Sequence, residues 1–457
     1  MTEETITSDY LVIGAGAMGM AFVDTMLTDS KATITIPFVR LHQPSNFYGV
    51  NSRALGMDTI HREGWNEGLF ELASASELCA YFDQVMHQTF LPSGRVTYYP
   101  KCEYAGNGRF KSMVTGKTYR ATESTCIVDA TFMKVKVPSM GPPEPDRIRN
   151  YTVIGAGKTG IDACLWLLGI GVQPSAISWI MPRDQWLVDR RYHQAGDNFA
   201  EWRYAIVPNQ AKAIHAATTA DDLLKRLSGV GQLMRLSEDV WPTMFRCATV
   251  SQKEFKALKQ IGNVIRQGRV LQIDQDKVTL ERGSYAPARD TLWIDCTADG
   301  LAQRDAVPVF QYYLIILQSV RYCQQVFSAA LIAHLETTYP DTQTKNYLSR
   351  PIPHPNYGTD CIAMSLLNSQ NTMRLSEYPE TLKWLAKSRL DWFRHTVPPL
   401  PKDPEERKAA LKRMTEVRER NCSKLESLID TMTPEDAARV RKQVYNDSVT
   451  THQVSML

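Results

Sequence analysis

The chain has 457 residues, long enough for two or three domains with large cores. A hydrophobic content of 43% and a charged content of 22% are ordinary for a soluble globular protein, and a formal net charge of +3 gives no electrostatic case for nucleic acid or an anionic membrane. No run approaches the ~18 apolar residues of a membrane span, the N-terminal MTEETITSDY is too polar and acidic for a signal peptide, and nine cysteines scattered without a C-x-x-C pair predict buried thiols in a cytoplasmic protein rather than disulfides or a zinc site.

Residues 9–36 read as strand, glycine turn, helix, strand: "YLVIG" is a short apolar run, "AMGMAFVDTML" has helical spacing and "ATITI" is β-branched. An amphipathic helix is expected over 76–91. Short strands follow ("RVTYYP", "CEYAG", "RFKSMV", "KTYRA", "STCIVDAT"), spaced for a small antiparallel meander that feeds back into the first sheet. The Pro-rich stretch 136–149 reads as a linker. Residues 151–181 then repeat the opening pattern: strand "YTVIG", helix "KTGIDACLWLLGIG", strand "AISWIM". The middle of the chain is mainly helical ("ADDLLKRLSGVGQLMRLS", "SQKEFKALKQIGNVI") and closes with the strands "RVLQIDQDKVTLERG" and "TLWIDCTADG". After residue 336 the sequence is charged and helical, and it is expected to pack on the outside as surface helices.

Each strand–turn–helix unit carries G-x-G-x-x-G, as "VIGAGAMG" and "VIGAGKTG". The first glycine permits the tight turn, the second lets the backbone approach a pyrophosphate, and the third allows helix and strand to pack closely. The helix N-terminus offers free N–H groups and the positive end of its dipole to the phosphates. Two such units imply two dinucleotides, most simply FAD on the first and a nicotinamide nucleotide on the second. Past the strand "ISWIM" the first charged side chain is Arg183, suited to a 2′-phosphate rather than a bare ribose diol, which argues for NADP, although Asp184 follows directly. Among nine histidines none has metal-ligand spacing, so no metal is expected. No Ser-His-Asp arrangement can be assigned and the catalytic residues stay unknown; in a flavoprotein the cofactor carries the hard chemistry.

The order of these motifs resembles that of the flavin-containing monooxygenase and Baeyer–Villiger monooxygenase group of NAD(P)/FAD-dependent oxidoreductases, over residues 8 to 335. "PFVRLHQPSNFYGV" (37–50) is similar to the loop that lies against the isoalloxazine ring. "DATFMKVKVPSM" is similar to the Ala-Thr-Gly exit strand, with Phe132 in place of Gly. "SWIMPRDQW" is similar to the strand-end Arg at the adenosine 2′-phosphate, and "LWIDCTADGLA" (292–302) to the late strand that returns the chain to the FAD domain. Three features depart from the pattern. F-x-G-x-x-x-H is absent. Ala-Thr-Gly has lost its Gly. No acid lies between Ser30 and Met57, where the ribose of FAD should meet one about 20 residues past the glycines.

The resemblance implies an α/β fold of two Rossmann-like dinucleotide-binding domains: a discontinuous FAD domain (1–140 and 290–335), an inserted NADP domain (148–289) with a helical excursion, and a helical C-terminal segment (336–457). It implies that Gly14, Ala15, Gly16, Met18 and Gly19 hold the FAD pyrophosphate, with Thr131 beside them. Arg40, His42, Gln43 and Ser45 would line the flavin, and Asp299 and Gln318 would meet its ribityl chain and ring edge. Gly155, Gly157, Lys158, Thr159 and Gly160 would hold the NADP pyrophosphate and Arg183 its 2′-phosphate. The activity implied is oxygenation of a small organic substrate by dioxygen at the expense of NADPH. A flavin reductase or oxidase without oxygen insertion, and an NADP-binding protein that has lost FAD, remain as alternatives.

Overall fold

The computed structural model describes residues 4–14, 16–30, 44–133, 150–298 and 300–446. The first unit opens with β1 (Glu4–Ile6), β2 (Tyr10–Ile13), the glycine turn and α1 (Ala17–Asp29). Helix α2 (Ala75–Val85) starts at a capping box in which Ser74 and Glu77 satisfy each other's backbone N–H groups. Strands β3 (Cys102–Gly106), β4 (Arg109–Ser112) and β5 (Thr118–Ala121) form the expected antiparallel meander, with β1 parallel to β5 at its edge. Strand β6 (Cys126–Asp129) then pairs parallel with β2.

The second unit repeats this plan. Strand β7 (Asn150–Ile154), α3 (Lys158–Gly169) and β8 (Ile177–Ile180) lead into β9 (Gln185–Asp189), α4 (Ala200–Ala216), α5 (Ala220–Gly229), β10 (Leu233–Met234), β11 (Met244–Val250) and α6 (Gln252–Leu258). Strand β12 (Asn263–Ile265) lies parallel to β8. A second antiparallel meander, β13 (Val270–Ile273), β14 (Val278–Leu280) and β15 (Gly283–Tyr285), precedes β16 (Thr291–Asp295), which closes the sheet in the order β12-β8-β7-β16.

That last pairing corrects one expectation. "LWIDC" was read as the return to the first domain, but it lies beside β7 in the second sheet. The first sheet is rejoined by β17 (Phe310–Gln311) and β18 (Leu314–Ile316), the latter parallel to β6. Locally the two strands are alike, since each unit needs an apolar strand that ends against its glycine turn, so the sequence alone did not say which sheet "LWIDC" closes. Strand β16 therefore belongs to the second unit, which does not stop at 289.

Helix α7 (Gln325–Thr338) packs along α1, and both are buried over most of their length. Each buried Leu, Ile, Val or Phe of this pair contributes ~1.5–3 kcal/mol. The chain then continues through α8 (Thr342–Leu348), α9 (Asp360–Ser376), α10 (Pro379–Lys387), α11 (Pro404–Ile429) and α12 (Pro434–Val444). This segment is more than a surface layer. Ile362, Leu366 and Leu367 of α9 are fully buried in a core shared with Trp186, Leu224, Phe245, Leu425 and Val440. The charge of α11 lies mainly in its N-terminal half, while its C-terminal half supplies buried residues. No helix among the described residues is long and apolar enough to cross a membrane.

Candidate cofactor turns and the adjoining cavity

The two glycine turns are built alike. Gly14 and Gly155 have φ of +104° and +119°, a region that disfavours any side chain. A Cβ on Gly14 would lie 2.8 Å from Thr131 Cγ2, and one on Gly155 2.5 Å from the Cys296 carbonyl oxygen. The third glycines, Gly19 and Gly160, pack on the carbonyl oxygens of Gly14 and Gly155, so an alanine at either would collide with backbone. The middle glycines, Gly16 and Gly157, are the N-caps of α1 and α3, and neither helix receives a side-chain cap. Nothing lies within 4 Å of a Cβ built on Gly157. An open, uncapped helix N-terminus with backbone able to approach closely fits a diphosphate.

In the second unit, Trp179 Nε1 donates to the Gly155 carbonyl at 2.9 Å, and the Gln185 amide donates to that of Ala156. Lys158 turns back along α3 to pair with Asp162, which leaves its backbone N–H, not its ammonium, at the turn; Thr159 is exposed in the first helical turn. Arg183 stands at the end of β8 as expected. Its Nη2 donates to the carbonyls of Thr243 (2.6 Å) and Asn356 (3.0 Å), and its guanidinium lies 4.5 Å from the Tyr357 ring centroid. Burial pushes its pKa down from the ordinary arginine value. Asp184 is buried and held bidentately by Arg266 at 2.8 and 3.1 Å, so this carboxylate is already engaged and is not presented to a ribose diol.

In the first unit, Thr131 donates from both N and Oγ1 to Asp129 Oδ1 at 2.8 Å and presses its methyl group on the Gly14 turn. The Met18 side chain is buried in the core of the first unit, leaving only its backbone near the turn. Ser45 is buried, and its hydroxyl bridges the Glu71 carbonyl and the Ala73 N–H. Gln318 is also buried, and donates to the Val307 carbonyl at 2.8 Å. Ala15, Arg40, His42, Gln43 and Asp299 lie outside the described residues. The described part of the 37–50 loop is clamped from the C-terminal segment, where Arg389 donates to the carbonyls of Asn46, Tyr48, Val50 and Arg53.

Just beyond this loop is a cavity of about 70 Å³ lined by Pro44, Phe47, Arg190, His193 and the Cys247–Cys323 pair. These two cysteines form a disulfide, which corrects the expectation of thiols throughout; the fold brings together residues 76 apart in sequence, a proximity no spacing rule shows. His193 stacks on Trp392 at 4.5 Å, and burial lowers its pKa to about 4. The small cavity shares Val188, His193, Tyr322, Trp392 and Phe393 with a larger one of about 190 Å³ that extends between α4, α5, α9 and α11. Sequence reasoning missed the functional candidates here, Arg321 and Arg418. They come from distant segments and belong to no motif. Among the described residues no cluster of His, Cys, Asp and Glu could hold a metal ion.

The uncharacterized proteins Rv2000 of Mycobacterium tuberculosis strain H37Rv and Mb2023 of Mycobacterium bovis are each 45% identical to the chain over 436 residues, covering 88% of it and 81% of their own length. No family model matches. Solved structures that align with the chain include the bacillithiol disulfide reductase Bdr of Bacillus cereus (TM-score 0.39, 13% identity, 73% of this chain and 99% of that one). They also include a flavin-containing monooxygenase from Stenotrophomonas maltophilia (0.37, 13%, 73% and 98%) and the polycyclic ketone monooxygenase of the fungus Thermothelomyces thermophila (0.41, 10%, 92% and 89%). At this level of superposition and identity the likeness assigns neither activity nor cofactor to the chain.

Proposed function

The chain belongs to the same family as the mycobacterial proteins Rv2000 and Mb2023, and for it we propose an oxidoreductase that holds FAD on the first glycine turn and NADPH on the second. The observation that carries this reading is the duplication of the turn: two uncapped helix N-termini, each behind a glycine at positive φ and each packed against the end of a parallel strand. One such turn has structural explanations. Two with the same hydrogen bonds and open caps fit two dinucleotides.

On this reading, residues 1–140 together with the return through β17, β18 and α7 form the FAD domain, residues 148–298 the NADP domain, and residues 336–446 a helical segment that completes the cavity. The backbone N–H groups of Gly16–Gly19 and Gly157–Gly160 hold the two diphosphates. Arg183 reads the 2′-phosphate, since the engagement of Asp184 by Arg266 removes the acid that would favour NADH. The flavin, when bound, supplies two-electron chemistry with NADPH and with dioxygen. The protein positions the nucleotides, shields the reacting centre within the paired cavities, and places a small organic substrate between the 37–50 loop and the C-terminal helices.

The test is the visible spectrum of the purified protein with and without added FAD, followed by NADPH oxidation under isotope-labelled dioxygen. Label in the organic product supports a monooxygenase; flavin-dependent NADPH oxidation without label supports a reductase or oxidase. The gap in acids between Ser30 and Met57 favours a second reading, an NADP-binding protein without flavin. A protein that binds NADPH and stays colourless in excess FAD would establish it.

A further inference from the structure

The lining of the larger cavity mixes apolar side chains, among them Ile206, Leu227, Leu233, Phe245 and Leu425, with amides, hydroxyls and two guanidinium groups, those of Arg321 and Arg418. Arg321 is 5% exposed. Its Nη1 donates to Thr372 Oγ1 at 2.6 Å, its Nη2 lies 3.8 Å from Asp391 Oδ1, and the group sits 4.6 Å from the Phe393 ring centroid. Its buried Nε has no hydrogen-bond partner among the described residues. Arg418, half-buried on α11, makes no ion pair or hydrogen bond among the described residues; burial and the charge of Arg321 both push its pKa down.

One buried and one half-buried cation beside a single carboxylate are under-compensated. Burial also raises the pKa of Asp391, which weakens even that compensation. An unpaired guanidinium is costly in such surroundings unless an anion satisfies it, and a planar carboxylate matches the arginine fork. The Trp392 Nε1 donor in the same lining is likewise without a partner among the described residues. A cavity of about 190 Å³ is somewhat larger than the ~150 Å³ that encloses benzene, which leaves room for one ring or a branched chain plus a carboxylate. It shares the lining residues His193, Tyr322 and Trp392 with the smaller cavity, which reaches Pro44 and Phe47 on the loop read as facing the flavin.

We propose that this cavity binds a small organic monocarboxylate with an aromatic or branched apolar body, its carboxylate received by Arg321 and Arg418, and that this acid is the substrate. Only the word substrate rests on the oxidoreductase reading; the binding does not.

The test is titration of the full chain with benzoate, phenylacetate and isovalerate, against benzamide and inorganic phosphate, by calorimetry and by intrinsic tryptophan fluorescence. At least one of the acids is expected to bind at least tenfold more tightly than benzamide, with phosphate failing to displace it. Arg418→Gln, partly exposed and so compatible with folding, is expected to weaken the acid ten- to a hundredfold and leave benzamide unchanged. Arg321→Lys, with its fold checked by thermal melting, is expected to do the same. Equal affinity for benzoate and benzamide, displacement by phosphate, no binding of any acid at millimolar concentration, or an Arg418→Gln variant of unchanged affinity would each overturn the proposal. NADPH consumption is followed separately. An acid held by Arg418 without NADPH oxidation defeats the redox reading and leaves the site standing; NADPH oxidation indifferent to Arg418 does the reverse.

Discussion

The first and second glycine turns are the same construction down to single hydrogen bonds. Ile13 pairs with Asp129 across β2 and β6, and Ile154 with Asp295 across β7 and β16. The next residues, Ala130 and Cys296, donate to the carbonyls of Ile13 and Ile154 at 2.9 and 2.8 Å. The threonines that follow, Thr131 and Thr297, donate to Asp129 and Asp295 at 2.8 and 2.9 Å. What differs is the sequence that follows each turn. The second turn is pinned by Trp179 and Gln185 and followed by Arg183. Behind the first, no acid occurs in sequence from Ser30 to Met57. Equal turns with unequal flanks separate what a turn does, which is to receive a diphosphate, from what its flanks do, which is to choose and retain the rest of the nucleotide.

The comparison breaks most sharply at the middle glycines. Gly16 and Gly157 have φ and ψ of −72°, −178° and −71°, 176°, which any residue adopts. An aspartate there would cap the helix, adding a few tenths of a kcal/mol of stability over glycine. It would also put a carboxylate where the diphosphate should lie, at a cost of about 4 kcal/mol for a pair of charges 4 Å apart at an effective dielectric of 20, or close to three orders of magnitude in affinity. Gly157→Asp is therefore expected to raise or preserve Tm while abolishing NADPH binding and sparing FAD, and Gly16→Asp to do the converse. Calorimetric titration of each variant with both nucleotides checks this. Loss of both nucleotides from either variant would mean that the turns are not independent sites.

Retention is the next contrast. A carboxylate accepting from ribose hydroxyls makes charge-assisted bonds worth ~1.5–3 kcal/mol, about ten- to a hundredfold in affinity. The first unit is expected to hold FAD more weakly by that factor than a unit with the acid, and to shed flavin on extensive dialysis and regain it on addition. A stoichiometric yellow protein that survives dialysis would show that another residue has taken over the ribose.

Nucleotide choice gives a smaller effect. Arg183→Ala is expected to narrow the preference for NADPH over NADH about tenfold, the worth of one charge-assisted pair. It should also lower stability by about 1 kcal/mol, because the Thr243 and Asn356 carbonyls lose their donor. A drop in Tm with the preference intact would leave Arg183 a purely structural residue.

Both turns were legible in the sequence because each needs glycine for backbone reasons that nothing else satisfies: positive φ at the first and close packing at the third. The meander before β6 was legible from alternation and turn residues. The destination of "LWIDC" was not, since its Asp-small-Thr ending serves either turn equally well. The buried face of α9 was hidden among the charged helices around it, and its hydrophobic residues lie against Trp186 and Phe245 from far earlier in the chain. Arg321 and Arg418 become a pair only once α11 packs beside the loop that follows β18. No local pattern distinguishes either from a solvated arginine.

The smallest effect concerns how the second turn is held rather than what it binds. Trp179 is fully buried at the centre of the second sheet, with its indole N–H on the Gly155 carbonyl at 2.9 Å. Phenylalanine keeps much of the apolar contact but removes the donor and leaves a small void. Losing a buried hydrogen bond to an acceptor that water cannot reach costs about 1–3 kcal/mol, and the lost volume adds to it. Gly155 passes this change to the diphosphate only through backbone geometry, because its carbonyl accepts from Trp179 and is not one of the N–H donors that would meet the ligand. Trp179→Phe is therefore expected to lower Tm by several degrees and to weaken NADPH only a fewfold, with FAD affinity unchanged. Thermal melts and parallel titrations read the three quantities. A large loss of NADPH affinity at unchanged Tm would mean that the carbonyl anchor sets the aim of the turn, and that the flanks do more of the binding than the turn itself.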